Sequence, residues 1–506
     1  MVIINNMKGC LYLQRHFTSI GHAIGIHLQK LGVKEFCAYA EPRNVYDFLI
    51  SQKDIKYARV LLDEEIHEKY KQEKLDAGYL NWLEKEYGLP NLWPYLYIDR
   101  ILMNGQFIRE YPYDRPALSH EEMMRAMQIA AKEIISFLKT EKPDFLVMSV
   151  VSSLGSMLLY HIAKKEGVKT FIIRPSRLSS DYYIASENYT GFSWAEKIFA
   201  ELQSEKRVSP KKQEATSILE KFRNRPAPFI KDFHPSEKSI NKLKQFGFLS
   251  PQKLISNIRW FIKLNLTYFL KRKRDYTDEI PWYSIWDKIK RKCRKIRGYN
   301  SLYSKPDFSE KFAFYPLQLQ PEISTMLLAP LYTDQITNIR HIARSLPIEF
   351  KLYVKEHFNM FGFRPRSFYK ELLKIPNVKL IDPAVPGFNL IQNAKLILVL
   401  TATTGWEAIF LKKPVITFGE IFYNALSMVK RCHSFEELPY AVRDRLENFK
   451  HNEEELVNFI SAMLEDSVHV DIYTLWEKDM SDERRAKEDI GLKMIAENIA
   501  KKMGVI

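Results

Sequence analysis

Hydroxyl side chains, one glycine and one carboxylate follow a hydrophobic run in Val399–Asn424, which reads "VLTATTGWEAIFLKKPVITFGEIFYN". Thr403 and Thr404 stand where the run gives way to a helical pattern, Gly405 lets the backbone approach a ligand, and Glu407 falls in the first helical turn. A helix N-terminus attracts anions through its unpaired N–H groups and its dipole. The stretch is therefore a candidate phosphate site with Glu407 facing a sugar or ribose. It is equally a plain helix start, with Thr as the cap and Glu stabilising the first turn.

A cluster of ionisable side chains follows another hydrophobic run, which ends near Val354. Lys355, Glu356 and His357 come at its carboxyl end, and Arg364 follows within the same loop. A His and a Lys beside a phosphate would offset the charge of a leaving group, and an Arg fork would grip the phosphate in bidentate fashion. A lone His is more often a structural residue, but the clustering favours a binding site.

Two further strand ends carry polar side chains. In "AFYPLQLQPEIST" Gln320 could hydrogen-bond a base or a sugar hydroxyl, or could be a plain loop residue, and Asp334 opens the next helix. In "IIRPSRLSSDYYIASEN" Asp181 could act as base or nucleophile for glycosyl transfer, although a solvated loop charge is the commoner fate. The early stretch "NNMKGCLYLQRHFTSIGHA" is a predicted loop whose residues could line the same cleft: Asn5, Gly9, His16, Gly21 and His22.

Alternating strands and helices must position these residues. The first half of the chain predicts a strand at "MVIIN", a helix over Ser19–Leu31, a strand at "EFCAYA", and a helix that opens with a capping box at Ser119 and Glu122. The alternation returns from Phe312 and runs to the opening stretch. Successive β-α-β units predict an α/β protein with two Rossmann-like domains facing a cleft, in which ligands bind beyond the carboxyl ends of the strands.

The length of 506 residues also predicts more than one domain. We expect a Rossmann-like acceptor domain over 1–200, a basic helical insert over 201–310, a Rossmann-like nucleotide-sugar domain over 311–480, and one amphipathic C-terminal helix over 481–506. Phe145–Ala163 lacks formal charge and is long enough to span a bilayer, but serines crowd its middle. We interpret it as a buried strand, a turn and a buried helix.

Composition excludes several classes of protein. An apolar fraction of 46% with 27% charged residues is typical of a folded chain and not of a disordered one. The four scattered cysteines argue against a disulfide scaffold or a structural zinc site and fit a reducing cytoplasm. The start "MVIINNMKGC" lacks the form of a signal peptide.

The net charge of +15 is concentrated in the predicted insert. Residues 253–297 hold 14 Lys and Arg against 4 Asp and Glu, with Trp, Phe and Tyr interleaved. Such a segment could be a solvated helical surface, a nucleic-acid face or a patch that rests on anionic lipid. Because no nucleic-acid-binding signature accompanies it, we favour the membrane surface over nucleic acid.

The second half of the chain resembles a known family. "VKEHFNMFGFRPRSFYKELLKIPNVKLIDP" and "LTATTGWEAIFLKKPVITFGEIFY" are similar to the bacterial capsule polysaccharide and surface-carbohydrate synthesis proteins, which include the capsular Kdo transferases; the resemblance covers about 312–423. The resemblance implies a glycosyltransferase of the two-Rossmann (GT-B) type at the cytoplasmic face, whose best-studied relatives use the CMP-activated sugar without a metal. His357 matches the family's nucleotide-contacting His-Pro element, with Phe358 in place of the proline. Thr403 and Thr404 match its Ser/Thr element, and a carboxylate in the first domain is expected to be catalytic.

These observations predict a metal-independent glycosyltransferase of surface polysaccharide synthesis that needs no cofactor. Its partners would be a nucleotide-sugar donor, a glycan or lipid-linked glycan acceptor, and an anionic membrane surface reached through 253–297. Asp181 and His357 are the predicted catalytic residues. The predicted donor-binding residues are Gln320, Lys355, Glu356, Arg364, Thr403, Thr404, Gly405 and Glu407. The alternatives are a sugar-nucleotide epimerase or hydrolase of the same fold, and a non-catalytic component that binds glycan or nucleic acid.

Overall fold

The computed structural model describes residues 7–104, 116, 118–204, 206–227, 229, 250–270, 280–477 and 483–505. The strands are β1 (Lys8–Gln14), β2 (Glu35–Glu41), β3 (Tyr57–Leu62), β4 (Phe145–Met148), β5 (Lys169–Pro175), β6 (Tyr182–Ser186), β7 (Phe312–Pro316), β8 (Lys351–Lys355), β9 (Val378–Ile381), β10 (Leu396–Val399), β11 (Val415–Thr417), β12 (Val429–Arg431) and β13 (Val468–His469).

The helices alternate with these strands. They are α1 (Phe17–Lys30), α2 (Arg43–Ser51), α3 (Asp63–Lys69), α4 (Ala77–Tyr87), α5 (Trp93–Tyr97), α6 (Arg100–Asn104), α7 (His120–Glu141), α8 (Leu154–Lys165), α9 (Ser193–Gln203), α10 (Lys212–Asn224), α11 (Pro251–Leu270), α12 (Pro281–Arg297), α13 (Ile323–Met326), α14 (Gln335–Ser345), α15 (Arg366–Leu372), α16 (Gly387–Asn393), α17 (Thr403–Phe410), α18 (Leu438–Glu447), α19 (Glu453–Asp466), α20 (Ile472–Glu477), α21 (Glu483–Glu488) and α22 (Ile490–Met503).

The described residues of Met1–Asp99, Leu118–Ile218 and Glu454–Ile506 form a first unit. Seven strands of the described chain make its sheet, in the order β13-β6-β5-β4-β1-β2-β3. The strands from β5 to β3 are parallel, whereas β6 and β13 add to the β5 edge in antiparallel pairs. The order 3-2-1-4-5 of the parallel strands is that of a Rossmann domain, so the fold prediction holds for this unit.

Local sequence signals account for several elements of the first unit. Ser119 and Glu122 form the predicted capping box, with Ser119 Oγ accepting from Glu122 N at 3.3 Å and Glu122 Oε2 accepting from Ser119 N at 2.9 Å. The uncharged window Phe145–Ala163 folds as the buried strand β4, a turn and the helix α8, as expected. None of the described helices combines the length and apolarity that a membrane crossing requires.

The predictions for the N-terminus fall partly outside the described residues. Residues 1–6, which include all of "MVIIN" and therefore Asn5, lie outside the described residues, and the first described strand is β1. Gly9 therefore belongs to a buried strand, and Gly21 and His22 belong to the buried helix α1, so the expected early loop is wrong. A side chain at Gly9 would meet the ring of Phe145 on β4 at 2.7 Å, so β1 and β4 pack closely at this position.

The C-terminal residues also differ from the prediction. The expected single helix is broken into α21 and α22, because Asp489 caps α22 by accepting from Leu492 N at 3.0 Å. The described residues 454–477, which the prediction gave to the second domain, belong to the first unit together with α22. Apolar side chains of α22 complete the core over the first sheet: Leu492, Ile495, Ala496, Ile499 and Ala500.

The described residues of Arg100–Ala117 and Leu219–Glu453 form the second unit. Its sheet joins six described strands, all parallel, in the order β12-β11-β10-β7-β8-β9. This is the full 3-2-1-4-5-6 Rossmann order, which places the switch point between β7 and β10. The predicted separate insert over 201–310 is not observed as such, since 201–218 fold with the first unit and α11 and α12 with the second.

Candidate functional site

Polar loops of the second unit meet at the carboxyl edge of its parallel sheet. β7 runs into the loop that carries Gln320, and its neighbour β10 runs into the Thr401–Thr404 turn. β8, on the other side of β7, runs into the loop that carries His357. Because β7 and β10 send their chains to opposite sides, a crevice opens between them in sheets of this order, and ligands bind there. The structure thus places the three predicted donor-binding loops on neighbouring strand ends.

The helix α17 begins at this edge without a side-chain cap. Ala402 is its N-cap residue, so the expected cap by a Thr hydroxyl is wrong. Thr401 instead donates its hydroxyl to the Ser324 carbonyl at 2.7 Å, which ties the β10 turn to the loop after β7. Thr403 and Thr404 are half-buried at the first two helical positions. An N-terminus that lacks a side-chain acceptor retains its affinity for an external anion.

Gly405 is required by a close approach inside the unit. A side chain at this position would meet the Tyr423 hydroxyl at 2.5 Å and Val399 Cγ2 at 3.0 Å. Tyr423 in turn donates to the carbonyl of Ala402 at 2.7 Å. Gly405 therefore lets Tyr423 hold the N-cap residue of α17, which fixes the direction of the helix start.

Glu407 is buried one turn into α17, and only 7% of it is exposed. Burial raises the pKa of its carboxyl to about 8, although the ammonium of Lys355 acts to lower it. Lys355 ends β8, and β7 lies between β8 and β10 in the sheet. The charge of Lys355 nevertheless affects the Glu407 carboxyl, which follows β10. The sequence predicted both residues as donor-binding, and the charge of Lys355 acts on the Glu407 carboxyl. A neutral Glu407 at pH 7 can donate a hydrogen bond and does not repel a phosphate.

His357 caps a short 3-10 turn over Phe358–Met360. Its Nδ1 accepts from the backbone N–H of Asn359 at 3.2 Å, so the neutral imidazole carries its proton on Nε2. The ring is half-buried. A protonated Nε2 is a hydrogen-bond donor, so it suits binding of an anionic oxygen better than binding of a cation.

Glu356 and Arg364 form a fully buried ion pair directly behind His357. Arg364 Nη1 donates to both Glu356 oxygens, at 2.5 and 2.6 Å, and both side chains have no exposed surface. Tyr369 and the His357 backbone N–H also donate to Glu356, each at 2.7 Å, and Arg364 Nη2 donates to the Gln318 carbonyl at 2.7 Å. The pair thus joins the loops after β7 and β8. Neither side chain presents a surface to a ligand in this arrangement.

Gln320 is likewise engaged inside the unit. Its amide nitrogen donates to the Thr333 carbonyl at 2.7 Å, and its oxygen accepts from Gln335 Nε2 at 2.6 Å. Gln335 also accepts from the backbone N–H of Gln318 at 2.6 Å. Asp334 caps α14, as expected, by accepting from Ile336 N at 3.0 Å. The amide network therefore shapes the loop after β7.

In the first unit, Asp181 lies at the carboxyl edge of the sheet, just before β6. Its carboxylate accepts from Ser179 and pairs with His469 Nε2 at 2.7 Å. Partial burial acts to raise the pKa of Asp181, but the hydrogen bonds from Ser179 and His469 outweigh it, so the pKa is lowered. His469 also lines a cavity of about 530 Å³ together with Asp471, Arg485 and Met494. Asp181 is therefore an ionised carboxylate held by an imidazole.

The sequence reasoning missed a second group of carboxylates at the same edge. Glu41 ends β2 and accepts from the Tyr12 hydroxyl at 2.5 Å, and Asp63 follows β3 and accepts from the Tyr39 hydroxyl. Burial raises the pKa of Glu41 to about 7, and the charge of Asp63 adds to the effect. Asp99 accepts from Leu154 N at the start of α8, at 3.1 Å.

A signal for this group was present, since Glu41 and Asp63 directly follow the hydrophobic runs "FCAYA" and "ARVLL". Nothing local indicated that these two runs would be adjacent strands. Within the described part of the chain, no cluster of His, Cys, Asp and Glu has an arrangement that would hold a metal ion.

Comparison with known proteins finds a family that part of the second unit resembles. A family model described as "Capsule polysaccharide biosynthesis protein" matches residues 259–438. This segment is similar to the capsule polysaccharide biosynthesis family. The match contains the His357 loop, the start of α17 and Glu407, so it confirms the resemblance on which the sequence analysis drew.

A curated relative and several solved structures are similar to parts of the chain. The protein FixF of Sinorhizobium fredii (strain NBRC 101917 / NGR234) is 27% identical over 153 residues, which are 29% of this chain and 36% of FixF. The β-Kdo 2,7 transferase structure of Thermosulfurimonas dismutans KpsC is 14% identical, covers 74% of this chain and 89% of that chain, and has a TM-score of 0.37.

The Neisseria meningitidis UDP-GlcNAc 2-epimerase bound to UDP-GlcNAc is 15% identical, covers 98% and 100%, and has a TM-score of 0.26. Because these TM-scores are low, the assignment depends on the sequence match to the capsule-synthesis family.

Proposed function

We propose that this protein is a glycosyltransferase of capsular or other surface polysaccharide synthesis. It would take its sugar from a nucleotide-activated donor, CMP-Kdo or a related sugar. One observation carries the proposal: the uncapped start of α17 and the His357 loop lie on strand ends of the same carboxyl edge, on either side of the β7 loop. The family match over 259–438 supports polysaccharide synthesis as the setting.

Each donor-side residue then has a chemical role. The first N–H groups of α17 and the Nε2–H of His357 would hydrogen-bond the donor phosphate, and the ammonium of Lys355 would offset its charge. Neutral Glu407 would donate to a hydroxyl of the ribose or sugar. Thr403 and Thr404 would contribute hydroxyls beside the phosphate. We propose positioning roles for Glu356, Arg364, Gln320 and Gly405, because their groups hold the loops and the helix start in place.

The transfer step follows from these roles. The acceptor hydroxyl forms a bond to the anomeric carbon, and the bond from that carbon to the phosphate oxygen breaks. The leaving phosphate takes the electron pair, and Lys355, His357 and the helix start stabilise its charge. Asp181 would act in the first unit as the base that accepts the hydroxyl proton. In the alternative, two-step route Asp181 would first displace the phosphate as a nucleophile; the acceptor hydroxyl would then displace Asp181 and give its proton to water. Glu41, whose pKa is raised to about 7, is the alternative carboxylate for that step.

The acceptor and the location are part of the same proposal. The acceptor would be a glycan or a lipid-linked glycan. The enzyme would work in the cytoplasm at the inner face of the cell membrane.

A donor panel with and without acceptor tests the proposed reaction. The purified protein is incubated with CMP-, UDP- and GDP-sugars, and free nucleotide and sugar nucleotide are both measured. Nucleotide release that requires a glycan acceptor is the expected result. A changed sugar nucleotide without acceptor would indicate epimerisation, release without acceptor would indicate hydrolysis, and either would refute the transferase.

A further inference from the structure

The helices α11 and α12 form a hairpin that carries an unusual exposed apolar surface. No residue of α11 is buried, although the helix is 20 residues long. Eight of its large apolar side chains are 41–74% exposed: Leu254, Ile255, Ile258, Phe261, Ile262, Leu266, Phe269 and Leu270. The spacing of three and four residues between most of them places them on one broad face of α11.

The same helix contacts α12 through its other side. Lys288 Nζ lies 3.0 Å from the centre of the Trp260 ring, and the rings of Tyr268 and Trp282 meet edge to face at 5.5 Å. Trp260 and Tyr268 are eight residues apart and therefore lie on one side of α11, toward α12. The large apolar face of α11 is left exposed by this packing.

On α12 an exposed apolar stripe is bordered by cations. Its large side chains are 38–57% exposed and follow one another at intervals of three, four or seven residues: Trp282, Trp286, Ile289 and Ile296. The two described helices together hold ten Lys and Arg and a single acidic residue, Asp287. Asp287 is itself buried and pairs with Arg291 at 2.5 Å. The described surfaces of these two helices are therefore apolar and cationic, and they carry no exposed acidic side chain.

The carboxyl half of α12 is fixed to the donor-side loop. Arg294 Nη1 donates to the Phe363 carbonyl at 2.5 Å, and the Arg291 guanidinium lies 4.5 Å from the centre of the Phe363 ring. Just beyond α12, Tyr299 donates to the Arg364 carbonyl at 2.9 Å. The hairpin is thus braced against the segment that follows His357.

We propose that the α11–α12 hairpin is a membrane-docking element that lies on an anionic lipid surface. The apolar face of α11 and the stripe of α12 would enter the boundary between headgroups and acyl chains, and the surrounding cations would contact lipid phosphates. This combination of an apolar face, aromatic residues and one sign of charge is what interfacial helices require, because apolar burial and electrostatic attraction add. Nucleic acid offers phosphates but no apolar layer for α11. Only the biological role of the docking rests on the proposed function: it would bring the donor loop to a lipid-linked acceptor.

Vesicle co-sedimentation of the full chain tests the docking. Phosphatidylcholine vesicles with phosphatidylglycerol are compared with phosphatidylcholine vesicles alone, at low and high salt. The full chain is expected to sediment with the anionic vesicles only, and less at high salt. The triple variant Ile258→Ser/Phe261→Ser/Phe269→Ser is expected to lower the partition coefficient at least about tenfold.

A matched variant controls for the loss of exposed apolar surface in general. Leu331, Ile348 and Tyr440 are 88%, 105% and 76% exposed in the same unit and belong to neither of the two helices. Their combined change to Ser is expected to leave vesicle binding intact. Far-UV circular dichroism and the thermal transition of each variant show that it is folded.

Four results would overturn the docking proposal. The first is that the full chain fails to bind anionic vesicles, and the second is that both triple variants lose vesicle binding equally. The third is that the full chain binds duplex DNA but not vesicles. The fourth is that the α11 variant converts a dimer to a monomer while its vesicle binding is unchanged. The hairpin variant is expected to keep nucleotide-dependent thermal stabilisation, whereas His357→Ala is expected to keep vesicle binding. Failure of the docking proposal and failure of the donor site are therefore told apart.

Discussion

The buried carboxyl of Glu407 makes the stability of the second unit depend on pH. Its pKa is about 8 in the folded chain, against an ordinary value of 4.5. The folded state therefore holds a proton that the unfolded state releases between these two values. Unfolding becomes easier as pH rises through this window, by about 1.4 kcal/mol per pH unit, and the loss levels off above pH 8. A difference of 3.5 units corresponds to at most roughly 5 kcal/mol, because local relaxation reduces the cost of the buried charge.

The change Glu407→Gln removes this proton without removing the volume of the side chain. We expect urea denaturation, followed by tryptophan fluorescence, to show a stability difference between variant and wild type that grows in favour of the variant from pH 5 to pH 8. Glu447, whose side chain is 65% exposed, provides the control Glu447→Gln, for which no such growth is expected. A difference between Glu407→Gln and wild type that stays constant over this range would refute the reasoning, since the buried carboxyl would then not be protonated at neutral pH.

The other predictions concern the supports of the site and the first unit. Glu356→Ala should cost about 3–5 kcal/mol of stability in a denaturation experiment, because it leaves the Arg364 charge buried without its carboxylate; a cost below about 1 kcal/mol would contradict the buried ion pair. Gly405→Ala should destabilise by about 1–3 kcal/mol through its clash with the Tyr423 hydroxyl, and the background Tyr423→Phe should reduce that cost; an equal cost in both backgrounds would place the strain elsewhere. Asp181→Asn should abolish acceptor-dependent nucleotide release in a turnover assay while donor binding is retained; full turnover would transfer the catalytic role to another carboxylate, with Glu41 as the next to test.

The second sheet could be predicted from sequence because each of its elements is specified locally. The hydrophobic run of β10, the polar turn and the helical pattern of α17 are adjacent in the chain, and the carboxyl ends of parallel strands share one edge. The sequence therefore indicated correctly that Thr403 and His357 lie at one edge of one sheet. It also indicated that Lys355 and Glu407 belong to the same neighbourhood.

Features that depend on how the chain packs in three dimensions could not be predicted in this way. β1 pairs with β4, which lies far along the chain, so that Gly9 is placed opposite Phe145. Glu356 and Arg364 were both predicted to contact the donor, but the buried pairing of two residues eight positions apart is visible only in three dimensions. Glu41 and Asp63 become neighbours only because β2 and β3 pair.

The continuity of the C-terminal helix was misjudged for a local reason. Its apolar spacing continues across Asp489, so a hydrophobic pattern alone predicts one helix. The Asp489 side chain caps α22 at its N-terminus. Gly491 has no side chain, and this allows Val470 to pack closely against it. The break lets α22 pack on α1 and complete the first core.

The most direct test of the donor site is nucleotide-dependent thermal stabilisation of the wild type and of His357→Ala. CMP, UDP and GDP are each titrated, and His433→Ala, which changes an exposed histidine of the same unit, is the control. A site of the proposed kind predicts that one nucleotide raises the melting temperature of the wild type and of His433→Ala. At a ligand concentration about a hundredfold above Kd the gain is about 2.7 kcal/mol, and it should be largely lost in His357→Ala. Identical stabilisation of the wild type and His357→Ala, or no response to any nucleotide, would contradict the proposed donor site.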